Sequence, residues 1–216
     1  MTPFLSVASA TLIESINNLN PGEKYRVLFV TSTVREADST NIDDYNNFVT
    51  NAANAGSITS SLGGTWAALA STESDNAQTN TRIFNNDNAD VSFFNTAGTL
   101  VARSGSDLWD GGLLAPIGYD EEANAVNLFI RAFTGTGFTG ETFRGSELGT
   151  TGGMITGKAQ SKSGRWMGDH TVNYARLSLY GVSSMRTVAA VPEPGTVILL
   201  LLGLAGLFMS HHRKQY

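Results

Sequence analysis

The chain has 216 residues, of which 15% are charged, with 23 glycines, no cysteine and a formal net charge of -5. Without cysteine there is no disulfide, no thiolate metal site and no thiol nucleophile, so stability must come from packing. Before Glu193 there are 18 acidic residues against 12 Lys plus Arg, a balance that excludes nucleic acid as a partner because neutralising phosphates takes a basic face.

In chain order, residues 1–10 read as the remnant of a signal peptide. Phe4-Leu5-Ser6-Val7 is weakly apolar and Ala8-Ser9-Ala10 has the small-x-small form of a signal-peptidase site, but no basic residue precedes them and the apolar stretch is short. The expectation is a truncated signal or a fragment, its start upstream of Met1, with one domain over residues 11–186. Tyr25-Arg26-Val27-Leu28-Phe29-Val30-Thr31-Ser32-Thr33 is β-branched and aromatic without a breaker, which predicts a buried strand. Asn41 can cap a helix over Ile42–Ala55 whose Tyr45, Phe48, Val49, Ala52 and Ala53 share an apolar face, with Gly56 as its stop. Gly63-Gly64-Thr65-Trp66 predicts a turn and a short strand, and residues 76–83 one or two helical turns. Residues 91–94 and 99–102, joined through Asn95-Thr96-Ala97-Gly98, predict a hairpin. The segment from Trp109 to Gly164 is expected to be mostly loop. Arg165-Trp166-Met167 and a last strand over 174–182 close the body, and residues 187–191 form a linker.

Three groups of side chains are candidates for chemistry. Trp66 and Trp166 sit in apolar contexts that predict core, whereas Trp109, beside Asp110 and two glycines, is placed to contact a ligand together with Asp110. Asp107, Asp110, Asp120, Glu121 and Glu122 gather in the loop-rich middle, and Asn85-Asn86-Asp87-Asn88-Ala89-Asp90 forms a second oxygen-rich patch. Calcium needs only carboxylates and carbonyls, so it is the one candidate cofactor, although neither patch has calcium-loop spacing and solvated acids with Asx turns account for both. A zinc-type centre lacks ligands. His170 is the single histidine outside the tail and lies beside Asp169, with Ser161 and Ser163 as nearby hydroxyls. Their spacing sets up no nucleophile, base and orienting acid, and no Gly-x-Ser-x-Gly elbow is present. No catalytic residue is assigned, and the chain is expected not to be an enzyme.

The tail joins three parts in order: Val191-Pro192-Glu193-Pro194-Gly195-Thr196, an apolar run over residues 197–209, and His211-His212-Arg213-Lys214. The two prolines keep the first part extended, as a protease cleft requires. The apolar run is about 20 Å long as a helix against a hydrocarbon core of about 30 Å, short for a permanent anchor. A transmembrane helix is expected over 196–210, with Arg213 and Lys214 as the cytoplasmic stop. This order resembles the PEP-CTERM sorting signal of Gram-negative bacteria. The resemblance implies that Val191, Pro192, Glu193, Pro194 and Gly195 are the sorting and processing motif. It further implies export, a transient stay in the inner membrane, recognition by an exosortase-type membrane protease and release to the cell surface or beyond, often beside exopolysaccharide production. An uncleaved C-terminal anchor is the alternative.

The body resembles the C-type-lectin-like fold in its endostatin-like bacterial form. The resemblance rests on Leu28-Phe29-Val30-Thr31-Ser32-Thr33, Leu62-Gly63-Gly64-Thr65-Trp66-Ala67-Ala68-Leu69-Ala70-Ser71, Leu108-Trp109-Asp110-Gly111, Phe133-Thr134-Gly135-Thr136-Gly137 and Gly164-Arg165-Trp166-Met167-Gly168. It implies an α+β body with a short antiparallel sheet, one or two helices and long loops. The usual disulfides and the Glu-Pro-Asn or Gln-Pro-Asp sugar triplets are missing, so fold rather than lectin activity carries over. The expected function is a non-catalytic surface, extracellular-matrix or biofilm protein that binds polysaccharide or another exported protein. An exported hydrolase acting on extracellular polysaccharide is the alternative.

Overall fold

Seven residues in a row, Lys24–Val30, form β1, and six of them are buried because both faces of this strand are covered. The computed structural model describes residues 7–86, 90–173 and 175–189. Alternation along β1 sends Tyr25, Val27 and Phe29 to one core and Leu28 and Val30 to the other. Against the first core lie α1 (Val7–Asn17), which contributes Leu12, and α2 (Ile42–Ala55), which contributes Ile42, Tyr45, Val49, Ala52 and Ala53. Asn41 caps α2 as expected, its side chain accepting from the Asp43 N–H at 3.1 Å. Phe48 is half-buried at the edge of that core. Gly56 ends the helix, but with φ of -77° rather than in the left-handed region. A glycine fits there because a Cβ would lie 2.6 Å from both the Cβ and the carbonyl oxygen of Glu121.

After α2 come α3 (Ser57–Leu62), β2 (Trp66–Ala68) and α4 (Ala77–Thr81), the last capped by the Asn76 side chain on the Thr79 N–H. The chain then returns to the sheet as β3 (Val91–Asn95), parallel to β1, and turns into β4 (Leu100–Ala102) as the expected hairpin. A short helix, α5 (Gly105–Leu108), follows. The stretch read as loop, Trp109 to Gly164, contains β5 (Arg131–Phe133) and β6 (Met154–Lys158), and a 3-10 turn at Gly164–Trp166 and β7 (His170–Val172) follow it. The closing strands are β8 (Ser178–Ser183) and β9 (Arg186–Thr187).

Among the described residues these strands form one nine-stranded sheet in the order β4-β3-β1-β8-β5-β6-β7, with β2 added on β8 and β9 on β1. The body is α+β, but its sheet is large and mixed rather than short and antiparallel: β1·β3 and β5·β8 are parallel pairs. The described residues also hold five α-helices rather than one or two, although only α1 and α2 exceed two turns. The strands that escaped the sequence reading are three to five residues long and carry Thr, Gly and Lys in place of an apolar period. β8 is buried along its whole length, since it meets β1, β2 and β5. At its centre Gly181 lets α2 lie on the sheet, because a Cβ would be 2.2 Å from the Phe29 ring and 2.7 Å from Val49.

The expected signal boundary at Ala10–Thr11 falls inside α1, and Ser15 of that helix donates to the Gly98 carbonyl at 2.7 Å. The linker expected from residue 187 starts later: Thr187 pairs with Lys24, and Val188 donates to the Glu23 carbonyl at 2.9 Å. The sorting motif, the expected span over 196–210 and the basic end lie outside the described residues. No helix among the described residues is long and apolar enough to cross a membrane.

Candidate functional site

Arg26 occupies the same face of β1 as Leu28 and Val30, so the pleat drives a guanidinium into the interior beneath α4. It is 8% exposed and is held by carbonyls: NH1 donates to Thr81 O at 2.8 Å and to Ser183 O at 3.3 Å. A charge buried this deeply requires such partners. Above it opens a cleft of about 500 Å³, lined by Trp66, Asn80, Arg82, Phe93 and Met185 among others. Trp66 is fixed in its wall by an edge-on contact with Phe29, 5.2 Å between centroids at 88°. Asn80 pairs its amide with that of Asn46 at 2.8 and 2.9 Å, and both amides bond the backbone of Ala68. This pair ties α2, α4 and β2 together behind the cleft. At the rim, Arg82 caps α4 with φ 55° and ψ 40°, a left-handed conformation that costs a non-glycine residue about 1 kcal/mol. The cleft sets Arg26 and Arg82 beside the buried Trp66 and the Asn80 amide, which is already paired within the fold.

A second, open groove of about 610 Å³ is polar, with Glu73, Glu141, Glu147 and Arg144 in its lining. Its carboxylates are partly engaged by the fold: Glu141 accepts from the Asn76 and Gln78 amides at 2.8 and 3.4 Å, and Glu147 accepts from the Gly145 N–H at 2.5 Å.

The tryptophan expected to meet a ligand is in the second core. Trp109 is 3% exposed, stacks on Trp166 with centroids 5.8 Å apart and donates its indole N–H to Ile83 O at 2.9 Å. A covered ring offers no face to a sugar, so Trp109 and Asp110 do not form a surface pair. Asp110 is exposed and accepts from the Gly112 N–H at 2.8 Å, an Asx turn. Trp66 and Trp166 are buried as expected, Trp166 from a 3-10 turn rather than a strand.

The acids of the middle segment are spread over separate duties. Asp107 accepts from the Arg103 N–H at 2.6 Å, and Asp120 takes the N–H groups of Glu122 and Asn124. The 5%-exposed Glu121 accepts from the Ser32 N–H at 2.9 Å and from the Ser32 hydroxyl, while Glu122 does the same for Ser57. No three carboxylate or imidazole side chains converge on a metal position among the described residues. Residues 87–89 of the second patch lie outside them.

His170 is exposed on β7, and no hydrogen bond joins it to Ser161 or Ser163 among the described residues. Those two hydroxyls lie 3.2 Å from each other. Asp169 faces Arg131 at 2.5 Å and Arg165 at 3.4 Å, so it orients arginines rather than the imidazole. Beside this pair the buried Tyr180 donates to Trp166 O at 2.8 Å, and burial pushes its phenol far above the usual range.

Among the described residues Arg26 and Glu121 are the buried charges; the first stood in the sequence only as part of a strand, the second only as one of the acids of the middle segment. Arg26 had a signal, a lone cation inside an uninterrupted apolar strand. The burial of Glu121 had none, because its partner Ser32 is 89 residues away.

Comparison with protein families identifies one segment. A model of the PEP-CTERM protein-sorting motif matches residues 190–214, which begin two positions after Val188, the last residue with a backbone hydrogen bond among the described residues. No curated protein matches the chain. A C-terminal motif of this kind marks an exported protein that is sorted at the membrane by an exosortase and delivered to the cell surface.

Proposed function

We propose that this chain is a non-catalytic surface or extracellular-matrix protein of a Gram-negative bacterium, whose tail is held briefly in the inner membrane and then cut. The body, a C-type-lectin-like module in this proposal, contacts exopolysaccharide or another exported protein once it is released. The observation that carries the proposal is the motif match at residues 190–214, with Pro192-Glu193-Pro194, a short apolar run and a basic end following one another in the sequence. An apolar run of about 20 Å leaves a helix mismatched to a bilayer core of about 30 Å, which favours a temporary stay over a permanent one. The binding role is supported by the cleft over Arg26, and by the commitment of the Asp169 carboxylate to two arginines rather than to His170. The second reading, an exported hydrolase, has the exposed His170 as its only acid-base candidate of imidazole type in the body.

Changing Glu193→Ala in the full chain tests the sorting half. The variant is expected to accumulate in the membrane fraction while the unaltered chain reaches the surface; equal delivery of both would overturn it. A glycan array run beside a hydrolase screen on the released protein tests the other half. Binding without turnover supports the module, and turnover abolished by His170→Ala would replace it with the enzyme.

A further inference from the structure

The hydrogen bonds of the body reach almost to the sorting motif. β9 pairs Thr187 with Lys24 and Arg186 with Tyr25, adding a short edge strand to β1. One residue on, Val188 donates to Glu23 O at 2.9 Å and accepts from the Gly22 N–H at 3.0 Å, and its side chain rests on the first core. Arg186 locks this strap from the other side, its guanidinium donating to Leu62 O at 2.7 Å and to Gly63 O. Only Ala189, Ala190 and Val191 separate Val188 from Pro192. Four Cα steps span at most about 14 Å, so the motif cannot move far from the folded body while the strap is closed.

An endoprotease binds its substrate as an extended strand through main-chain hydrogen bonds, the same kind of bonds that a sheet edge makes. To grip several residues upstream of Pro192 it needs the N–H and C=O groups of Val188 and Thr187. Those of Val188 are already taken by Glu23 and Gly22, and one backbone donor cannot serve two partners in full.

We propose that residues 186–188 form a shared strand, held by β1 and the Gly22-Glu23 backbone in the closed body and by the sorting protease during processing, so that release of β9 and Val188 admits the tail to the protease. This rests on the reading of the tail as a processed signal. It adds that the body regulates its own sorting, through a two-residue strand at the end of the described fold, where local opening is least costly. The partner is defined by its chemistry: a membrane protease that reads an extended strand beginning before the Pro-Glu-Pro element.

The test uses the full chain in a host that carries its exosortase. The Val188–Glu23 bond leaves Lys24 and Thr187 as the non-hydrogen-bonded pair, whose Cα separation suits a disulfide. With no native cysteine, the Lys24→Cys, Thr187→Cys double variant can form only that bridge within the chain, and the export route is oxidising. Processing of the bridged protein is expected to fall about tenfold or more, equivalent to about 1.4 kcal/mol of added closure, and to recover with reductant. Inserting four Gly/Ser residues between Ala189 and Ala190 is expected to restore processing of the bridged protein, because the insert supplies the upstream strand. Bridged protein cut at the unaltered rate would overturn the shared strand, as would a block that the insert does not relieve. If the unaltered chain itself is never cut in that host, the fault lies with the sorting reading rather than with the strap.

Discussion

Gly157 lies in β6 where the 3-10 turn crosses the sheet, and a Cβ there would stand 1.8 Å from Trp166 O and 3.1 Å from the Tyr180 hydroxyl. The first of these is backbone, and it already accepts the Tyr180 hydroxyl, so it cannot yield without breaking that bond. Gly157→Ala is therefore expected to lose about 3 kcal/mol or more in urea unfolding, and a loss under about 0.5 kcal/mol would contradict this packing. In the sequence the same residue read as one more glycine of a loop. What was legible at this scale was local: Asn41 as a cap depends on the N–H group of Asp43, two residues away. What was not legible depends on distant partners. Trp109 looked like a loop residue beside Asp110 and two glycines, yet Ile83 and Trp166 bury it from opposite directions along the chain.

The same division holds for elements. β1, α2, α4 and the β3-β4 hairpin carry their signals within their own windows, as an apolar run, a 3.6-residue face, a cap, and two short strands around a turn. β5, β6 and β7 do not, since Thr156, Gly157 and Lys158 become strand only through pairing with Phe133, Ala132 and Arg131. Reading the segment as loop also hid the parallel β5·β8 pair, which joins this half of the sheet to β1. The docking of α2 makes a measurable prediction. Tyr45 is fully buried, donates to Ser39 O at 2.7 Å and accepts from Ser39 N–H at 3.0 Å, and burial above all pushes its pKa up to about 12 from 10.0. The folded helix keeps this proton to higher pH than the unfolded chain does. The resulting stabilisation is complete below pH 10 and drains away as pH rises from about 10 to about 12. Tyr45→Phe should lose about 1 kcal/mol at neutral pH with its hydrogen bonds, and then show a shallower decline across that window. An equally steep decline in the variant would place the alkaline transition elsewhere, with the still more strongly raised Tyr180 as the next group to change.

Across the whole molecule, one two-faced sheet organises two cores, and residues from both ends of the described chain close the first of them: Leu12 is buried in it and Val188 packs against it. The described chain ends beside the N-terminal end of β1, where Lys24 meets Thr187 and Val188 bonds Glu23 and Gly22. Sorting was legible in the sequence because turn, apolar run and basic end follow one another without any need of tertiary structure. The cleft over Arg26 was not, because it is assembled from β1, β2, β3, α4 and the turn at Ser184 and Met185. The most direct test is the intact mass of the protein recovered from the cell surface or medium of a host with its exosortase. A delivered form that lacks residues 197–216 is the result predicted for a processed tail. Surface protein that still carries the full sequence to Tyr216, at the 23.0 kDa of the uncut chain or as a fragment of it, would contradict the account.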